Sequence, residues 1–390
     1  MRILHLAWEY PPLVYGGLGR HVGALSAAQA ALGHDVVVVT QGQGDALSNG
    51  VRVVRVPSDE FVYSLPRLHT WVGALDHAMG VAAARESADV IHAHDWMVGR
   101  GARHACLFTG APLVATIHAT EAGRHRGWLP DAVSGGVHLV EQWLVDEADQ
   151  VIVCSSAMAD EVHRGHRRAD SVVIPNGIDV TAYQRTTQIP AELATGSPRL
   201  LFVGRLEWEK GVFVAVDAMP AVLREHPHAR LRIVGTGGQA AAVAALVQRL
   251  GLQSRVELLG HVDEGTLRAV YSSADLLLAP SSYEPFGIVA LEAAAMGTPL
   301  IVGDSGGLAE FVTSERGRRC PPDDPAALAG QIMAALAAPD DTARRARVAH
   351  AALDDYTWRS IAERTVAVYR RAHPTSAPPR QHRLFSRRIW

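Results

Sequence analysis

The chain has 390 residues, of which 48% are hydrophobic and 20% charged, and its formal net charge is −3. This length is too great for one ordinary hydrophobic core and predicts two domains of about 150 to 200 residues each. The apolar content argues against a disordered chain, and the near-neutral charge argues against a nucleic-acid-binding protein. We expect a soluble, two-domain enzyme.

The cysteines and the first residues bear on the cellular compartment. Cys106, Cys154 and Cys320 are few and far apart, which fits neither a disulfide framework nor a CxxC site. The opening stretch MRILHLAWEYPP holds too short an apolar run for a signal peptide. No run approaches the ~18 apolar residues of a membrane-spanning helix. We therefore expect a cytoplasmic protein with no integral membrane segment.

Apolar runs of strand length recur along the chain. The first half contains ILHLAW, DVVVVT, VRVVRV, DVIHAH, PLVATIH and QVIVCSS, and the second half contains RLLFVGRL, ARLRIVG, SRVELLG, ADLLLAPSS and TPLIVGD. Many are continuously apolar, as in strands that are covered on both faces. Segments with helical spacing separate them, including 18–32, 71–86, 239–250 and 286–296. This alternation predicts an α/β protein with two Rossmann-like, doubly wound parallel sheets.

A polar, Pro-punctuated stretch at 176–198 interrupts the alternation. We predict an N-terminal domain at 1–180, a linker at 181–198 and a C-terminal domain at 199–355. A C-terminal helix is expected at 356–372, with the option of crossing back to the N-terminal domain. The Pro-rich and then basic segment 373–390 is predicted to be a flexible, solvated tail, with contact to an anionic surface as the alternative.

Polar residues gather directly after the predicted strands, where ligands bind in open α/β sheets. Two such domains facing each other form a cleft, and we expect these residues to line it. The residues concerned are Glu9, Gly16, Gly17, His94, Asp95, Trp96, His118 and Glu121 in the first half, and Arg205, Glu207, Lys210 and Glu284 in the second.

The stretch GGLGR at 16–20 opens a predicted helix carried by Val22, Leu25 and Leu32. A glycine turn at a helix start exposes backbone N–H groups and the positive end of the helix dipole, which suits a phosphate. The G-x-G-x-x-G spacing of a dinucleotide site is absent, and Thr40 stands where its acidic residue belongs. The alternative is a tight turn with positive φ and no ligand.

The stretch GRLEWEKG supplies two cations, Arg205 and Lys210, five residues apart. A guanidinium fork and a point charge together can hold a diphosphate, each through charge-assisted hydrogen bonds worth about 1.5 to 3 kcal/mol. The alternative is that Glu207 and Glu209 pair with them as surface salt bridges.

Two carboxylates stand in the otherwise apolar stretch EPFGIVALE. Glu284 precedes Pro285, which is favoured at the first helical position, so Glu284 is predicted at a helix start. Glu292 lies eight positions later in a helix that is apolar on all sides, so it needs a hydrogen-bond donor. Their separation suits a long, hydroxyl-rich ligand. The alternative is a helix-capping Glu284 and an arginine-paired core Glu292.

These motifs resemble those of retaining nucleotide-sugar glycosyltransferases of the GT-B architecture, whose two Rossmann-like domains face each other across a cleft. The similarity is greatest with glycogen-synthase-like members and with actinobacterial α-1,4-glucosyltransferases of intracellular glucan or methylglucose polysaccharide synthesis. It covers residues 1 to about 370 and rests on WEYPPLVYGGLGRH, HAHDW, TIHATEAGRHRGW, CSS, IPNGID, GRLEWEKG and the E-x7-E spacing of Glu284 and Glu292.

The resemblance implies roles in binding the donor. Arg205 and Lys210 match the pair that binds the diphosphate and stabilises the departing nucleotide. Glu284 matches the carboxylate near the donor sugar hydroxyls, and Glu292 matches the one that binds the ribose. The other donor-binding positions that we assign are Gly16, Gly17, Arg20, Gly287, Ile288 and Val289.

On the N-terminal side, His118 matches the active-site histidine beside the reacting face of the sugar, and Asp95 matches the cleft aspartate. Trp96 and Trp128 are assigned to the acceptor, because aromatic faces carry pyranose rings, and Glu121, which follows a predicted strand, is assigned to the same side. One position departs from the pattern. Val14 stands where glycogen synthases have a lysine, which weakens an ADP-glucose assignment, and Arg20 is the alternative source of that charge.

The implied reaction transfers a hexose, glucose in the first instance, from ADP- or UDP-glucose to a growing α-1,4-glucan or related oligosaccharide. The nucleotide sugar is a co-substrate, and no cofactor is expected. Retention follows either from same-face attack assisted by the leaving phosphate or from a covalent intermediate. There is no D-x-D tripeptide, and the histidines show no ligand-like clustering in the sequence, so no metal is predicted.

Other functions stay open on the sequence alone. A mannosyl- or other glycosyltransferase that uses a GDP- or UDP-sugar on a lipid or small-molecule acceptor fits the same motifs. A disaccharide phosphorylase or a nucleotide-sugar epimerase can use the same two-lobed frame. A binding protein with a relic cleft is the non-enzymatic alternative. The sequence leaves the oligomeric state open.

Overall fold

A computed structural model describes residues 1–58 and 65–373, apart from the side chains of 65–67. The chain divides into two compact units. Among the described residues, the first comprises those of Met1–Cys154 and Ala159–Ile174 and those from Ile361 to His373, and the second comprises Ser155–Met158 and Pro175–Ser360. The tail predicted at 373–390 lies outside the described residues except for His373.

The first unit is built on an eight-stranded sheet of order β3-β4-β2-β1-β5-β6-β7-β8. All neighbouring strands are parallel except β3 and β4. The strands are β1 Arg2–Leu6, β2 Asp35–Gln41, β3 Ala46–Ser48, β4 Val51–Val56, β5 Val90–His94, β6 Leu113–Ile117, β7 Gln150–Val153 and β8 Val172–Val173. The helices are α1 Gly17–Ala31, α2 Leu65–Ala83, α3 Gly99–Thr109, α4 Glu121–Arg124, α5 Ala132–Glu147 and α6 Ser156–His166, with a short 3-10 helix at Trp96–Val98.

The second unit is built on a six-stranded, fully parallel sheet of order β11-β10-β9-β12-β13-β14. The strands are β9 Arg199–Val203, β10 Arg230–Val234, β11 Val256–Gly260, β12 Leu276–Ala279, β13 Leu300–Gly303 and β14 Arg318–Cys320. The helices from here to the end of the described chain are α7 Val212–Glu225, α8 Ala240–Arg249, α9 Glu264–Ser273, α10 Ile288–Ala295, α11 Gly306–Phe311, α12 Pro325–Ala337, α13 Pro339–Ala351 and α14 Trp358–Tyr369, with 3-10 helices at Trp208–Lys210 and Ala352–Tyr356.

The continuous apolar runs form buried strands, as their composition predicts. Val36 to Val39 of β2 are at most 1% exposed, because helices cover both faces of a parallel sheet. In the second unit, Leu200 and Phe202 of β9 pack in one core with side chains of α7 and α12. Burial of the strands therefore fixes the position of the loops that follow them.

Each of the eleven predicted apolar runs contains a strand, and the prediction of two Rossmann-like sheets is confirmed. Three strands, β3, β8 and β14, were not predicted, because they have two or three residues each and lack a long apolar run. One helix start was wrong. The helix after Glu284 begins at Ile288 and not at Pro285. Within the described residues, no helix is long and apolar enough to cross a membrane.

Candidate active site

The strand order of the second unit reverses between β9 and β12. Strands β10 and β11 lie on one side of β9, and β12 to β14 lie on the other. Ligands of doubly wound sheets bind at such a switch point, beyond the carboxyl ends of the strands. Arg205 and Lys210 follow β9, and Glu284 follows the neighbouring β12. The fold thus brings both predicted donor-binding segments to one edge of the sheet.

The two cations have different partners. Arg205 Nη2 lies 3.1 Å from Glu209 Oε1, whereas Lys210 Nζ lies 2.9 Å from Glu284 Oε2. Glu207 accepts the backbone N–H of Gly238 at 2.8 Å. Of the surface salt bridges considered as the alternative, the structure shows Arg205 with Glu209. Lys210 instead joins the two predicted donor-binding segments.

Lys210 is the single lysine of the 390-residue sequence, in which every other member of the 37 Lys and Arg residues is arginine. Its side chain and that of Glu284 are 16% and 14% exposed, so this is a mostly buried ion pair. An ammonium on a flexible stem can reorient its three donors, whereas a guanidinium has a fixed planar fork. The single lysine of the sequence therefore lies where a flexible ammonium group forms an ion pair with a carboxylate.

Gly211 fixes the backbone directly after Lys210. Its φ is +75°, a left-handed conformation that favours glycine. A Cβ atom at this position would lie 2.2 Å from the carbonyl oxygen of Pro280 at the end of β12. Only glycine permits this approach, which holds the Lys210 loop against the segment that leads to Glu284.

Glu284 is held through its backbone. Its carbonyl oxygen accepts the N–H of Gly307 at 3.0 Å. Gly287 then caps α10 with φ +92°, and the predicted donor-binding residues Ile288 and Val289 form the first turn. This arrangement places the backbone N–H groups of a helix start beside Glu284, as an anion site requires.

Glu292 is 4% exposed on α10. Tyr183 donates its hydroxyl to Oε1 at 2.7 Å, and Tyr271 donates its hydroxyl to Oε2 at 2.8 Å. The predicted need for a donor is confirmed, and the alternative of an arginine partner did not anticipate these tyrosines. Each carboxylate oxygen has a second lone pair, so the carboxylate has the capacity to accept ligand hydroxyls.

The sheet of the first unit reverses its strand order between β1 and β5. Glu9 follows β1, is 2% exposed and accepts the backbone N–H groups of Tyr15 and Gly16, the latter at 3.0 Å. A carboxylate of the chain itself therefore engages the predicted anion-binding turn. Gly16 has φ −161°, so the alternative of a positive-φ turn was wrong there. The donor-binding roles of Gly16, Gly17 and the exposed Arg20 stay predictions.

Asp95 and His118 follow β5 and β6, which are neighbours in the sheet. Asp95 Oδ1 accepts the backbone N–H of His118 at 2.7 Å, and Asp95 has the uncommon φ of +62°. Burial raises the pKa of the Asp95 carboxyl to about 7. Burial also lowers the pKa of His118 to about 3, so this imidazole is neutral at physiological pH.

The predicted acceptor-side residues lie in the same unit. Trp96 is half-buried in its 3-10 helix, and Trp128 is 70% exposed. Glu121 begins α4, and its backbone N–H donates to both oxygens of Glu141, at 2.9 and 3.2 Å. Burial raises the pKa of Glu141 to about 9. Sequence reasoning missed Glu141, because it lies twenty positions from the loop that it holds.

The histidines cluster in space although they do not cluster in the sequence, so that part of the argument against a metal was wrong. The imidazoles come from β1, β5, the segment after β6 and the helices α1, α5 and α6. Among the described residues, three groups have ligand atoms within 4.8 Å of one another: His5, His92 and His94; His21, His94 and His118; and His138, Glu141 and His166. The absence of a metal stays a prediction.

The chain matches the family model described as Glycosyltransferase Family 4 over residues 15–182 and the model described as Glycosyl transferases group 1 over residues 184–352. It is 43% identical to a glycogen synthase of Mycobacterium tuberculosis, covering 95% of this chain and 94% of that protein. The chain is a GT-B glycosyltransferase.

Two further relatives support this assignment. The glycosyltransferase is 32% identical to an α-maltose-1-phosphate synthase of Mycolicibacterium smegmatis, with 95% of this chain and 99% of that protein covered. A solved sucrose-phosphate synthase from Thermosynechococcus elongatus has a TM-score of 0.84 and 26% identity, covering 95% of this chain and 98% of that structure. The predicted family, the enzyme class and the GT-B fold are confirmed.

Proposed function

We propose that this glycosyltransferase moves glucose, with retention of configuration, from a nucleoside-diphosphate glucose to the end of a growing α-1,4-glucan. The observation that carries the proposal is the pairing of the single lysine, Lys210, with Glu284 at the switch point of the second sheet. The glycogen synthase that is 43% identical over almost the whole chain supports glucan as the product.

The second unit binds the donor in this proposal. Arg205 and Lys210 contact the diphosphate, and the N-terminus of α10 at Ile288 and Val289 adds backbone N–H donors. Glu292 accepts the ribose hydroxyls while Tyr183 and Tyr271 hold its carboxylate in place. All of these groups follow β9 or β12 or contact the segments that do.

Departure of the nucleotide is the step that most needs electrostatic stabilisation. Cleavage of the anomeric C–O bond leaves an oxocarbenium-like sugar and an additional negative charge on the diphosphate. Preorganised cations aimed at that charge lower the barrier, and loss of one such donor costs roughly 10² to 10³ in turnover. Lys210 can turn from Glu284 toward the diphosphate, which leaves Glu284 as a hydrogen-bond acceptor for the glucose hydroxyls.

The first unit contributes His118 and Asp95 to the sugar and the glucan acceptor. A neutral imidazole contacts a glucose hydroxyl without placing a positive charge beside the oxocarbenium-like carbon. Trp128, with its exposed indole, and Trp96 offer apolar faces to acceptor rings. Same-face attack, in which the leaving phosphate takes the proton of the acceptor hydroxyl, accounts for retention without a covalent intermediate.

The test is a transfer assay in which ADP-, UDP- and GDP-glucose are each combined with maltooligosaccharides in the presence of EDTA. We expect lengthened α-1,4-linked products from a glucose donor and no effect of EDTA. Because Lys210 is the only lysine, protein labelled with ¹⁵N-lysine gives one side-chain amine signal for NMR. That signal should shift when the nucleoside diphosphate of the active donor is added. No transfer from any glucose donor would contradict the proposal.

Glucose 1-phosphate is the second candidate acceptor. The relative named α-maltose-1-phosphate synthase, 32% identical over 95% of this chain, favours it. The same assay with glucose 1-phosphate in place of the maltooligosaccharide separates the two candidates. Faster formation of a phosphorylated disaccharide than of longer glucans would assign that acceptor. GDP-mannose and a lipid acceptor are included in a parallel assay, and transfer only with one of them would instead assign the related alternative within this family.

A further inference from the structure

A buried chain of hydrogen bonds runs through the first unit and ends at His118. Its members come from α1, α14, the strands β1, β5 and β6 and the segment after β6, and the bonded atoms of adjacent members are 2.7 to 3.2 Å apart. In order, they are Thr116, His92, Tyr369, Gln29, His5, His94 and His118.

Gln29 determines the direction of donation, because its two amide atoms have opposite roles. Its Oε1 lies 2.7 Å from Nε2 of His5, and its Nε2 donates to the hydroxyl of Tyr369 at 3.0 Å. A carbonyl oxygen only accepts. His5 therefore carries its proton on Nε2, and its Nδ1 is an acceptor.

The assignment passes from His5 toward the active site. Nδ1 of His5 lies 3.0 Å from Nε2 of His94, so His94 donates through Nε2 and keeps Nδ1 as an acceptor. Nδ1 of His94 lies 3.2 Å from Nε2 of His118, so His118 also donates through Nε2. Each neutral imidazole has one donor and one acceptor nitrogen. The chain thus leaves Nδ1 of His118 with a free lone pair.

The other arm is consistent with the same direction. The Tyr369 hydroxyl accepts from Gln29 and donates to Nδ1 of His92 at 2.7 Å. His92 then donates through Nε2 to the hydroxyl of Thr116, also at 2.7 Å. Burial supports the neutral state of the imidazoles, since it lowers the pKa of His5 to about 4 and that of His92 well below its usual range. A rotation of the Gln29 amide by 180° would reverse every donor in the chain.

We propose that Gln29 and Tyr369, acting through His5 and His94, are positioning residues that hold His118 in the Nε2–H tautomer. This inference rests on the proposed function only for its consequence, that Nδ1 of His118 accepts a hydrogen bond from a donor glucose hydroxyl. A mixture of tautomers would present a donor there in part of the molecules, and a hydroxyl bound to the other tautomer would be oriented differently.

The test uses full-length protein labelled with ¹⁵N-histidine. The chemical shifts of the two ring nitrogens of His118 report its tautomer in NMR spectra. These two signals are assigned as the ones that are missing in His118→Ala. Gln29→Leu removes the amide that determines the direction of donation. Tyr369→Phe removes one hydroxyl with little change of volume and serves if the first variant does not fold. Tyr10→Phe is the matched control, because its buried hydroxyl bonds Ser26 outside the chain.

We expect shifts of a fixed Nε2–H tautomer in the wild type and in Tyr10→Phe, and averaged shifts in both chain variants. Turnover should fall about ten-fold, by analogy with the hydrogen-bond partners of metal-ligating imidazoles, with little change in the Michaelis constant for the donor. Unchanged His118 shifts in folded Gln29→Leu and Tyr369→Phe would overturn the inference whatever the rates. Averaged shifts together with wild-type turnover would support the inference that the chain fixes the tautomer of His118, and would count against the proposed role of His118 in transfer.

Discussion

At the scale of single residues, the charge of Lys210 and its shape can be tested separately. Lys210→Met removes the ammonium and should reduce turnover by roughly 10² to 10³, because a preorganised cation at the departing diphosphate is lost. Lys210→Arg keeps the charge but puts a planar fork beside Glu284 in a mostly buried position. We expect it to recover only part of the rate in steady-state transfer assays.

The control for Lys210 is Arg268→Ala, which removes a partly exposed cation that lies 3.9 Å from Glu264 on α9. It should leave turnover unchanged. Wild-type turnover in Lys210→Met would show that the lysine only stabilises the fold. Binding of the nucleoside diphosphate, measured by calorimetry, should weaken from wild type to Lys210→Arg to Lys210→Met, in the same order as the rates, if Lys210 contacts the diphosphate.

Trp128 tests the acceptor side at the same scale. Its indole is 70% exposed, so truncation removes little packing within the unit. We expect Trp128→Ala to raise the Michaelis constant for maltooligosaccharide more than that for the donor, because a face that carries a glucose ring is lost. The two constants are measured by varying each substrate at saturating concentration of the other. Equal increases would argue against this placement.

At the scale of elements, the start of α10 depends on one backbone conformation. Gly287 has φ +92°, and an added Cβ would lie 2.3 Å from Cδ2 of Leu308. Gly287→Ala should therefore lower the free energy of unfolding by about 1 to 3 kcal/mol and weaken donor binding, because the first turn of α10 must move. Urea titrations and nucleotide binding measure the two effects.

Gly330→Ala is the matched control for that element. Gly330 lies inside α12, and nothing is within 4 Å of an added Cβ. This substitution should raise the free energy of unfolding by about 0.4 to 1 kcal/mol, because alanine loses less backbone entropy on folding. Equal stability losses in Gly287→Ala and Gly330→Ala would contradict the role given to the Gly287 conformation.

The local pattern of residues could predict the strands but not every contact. The apolar runs located eleven strands, and strand ends located His118, Lys210 and Glu284, because burial and loop position depend on neighbours in the sequence. Partners from distant segments were missed. Tyr183 contacts Glu292 across 109 positions, and Gln29 contacts Tyr369 across 340. The spacing of apolar residues along the sequence does not predict such pairs, because they form only when whole helices and strands pack together.

At the scale of the whole molecule, buried histidines predict acid sensitivity. Burial lowers the pKa of His5 and His166 to about 4 and that of His118 to about 3, from 6.5 in each case. The stability that they contribute is present above pH 6.5 and is lost as the pH falls toward these values. The shift of His5 alone corresponds to roughly 3 kcal/mol. His92 and His94 are lowered as well, so the five histidines outnumber the buried carboxyls Asp76, Asp95 and Glu141, whose raised pKa values act in the opposite direction. Unfolding midpoints in urea should therefore drop between pH 6.5 and 4, and a flat profile would contradict this.

Glu141 predicts the opposite slope on the alkaline side. Burial raises its pKa from 4.5 to about 9, so the folded protein holds a proton that the unfolded chain releases. The stability that this carboxyl contributes is present at low pH and is lost as the pH rises through 9. Between pH 7 and 9 the histidines are mainly neutral in both states, so the slope should approach one proton, about 1.4 kcal/mol per pH unit. Glu141→Gln keeps an acceptor for the Glu121 N–H and cannot titrate, so its urea midpoints should change less over this range. An equal slope in wild type and variant would assign the alkaline sensitivity to another group.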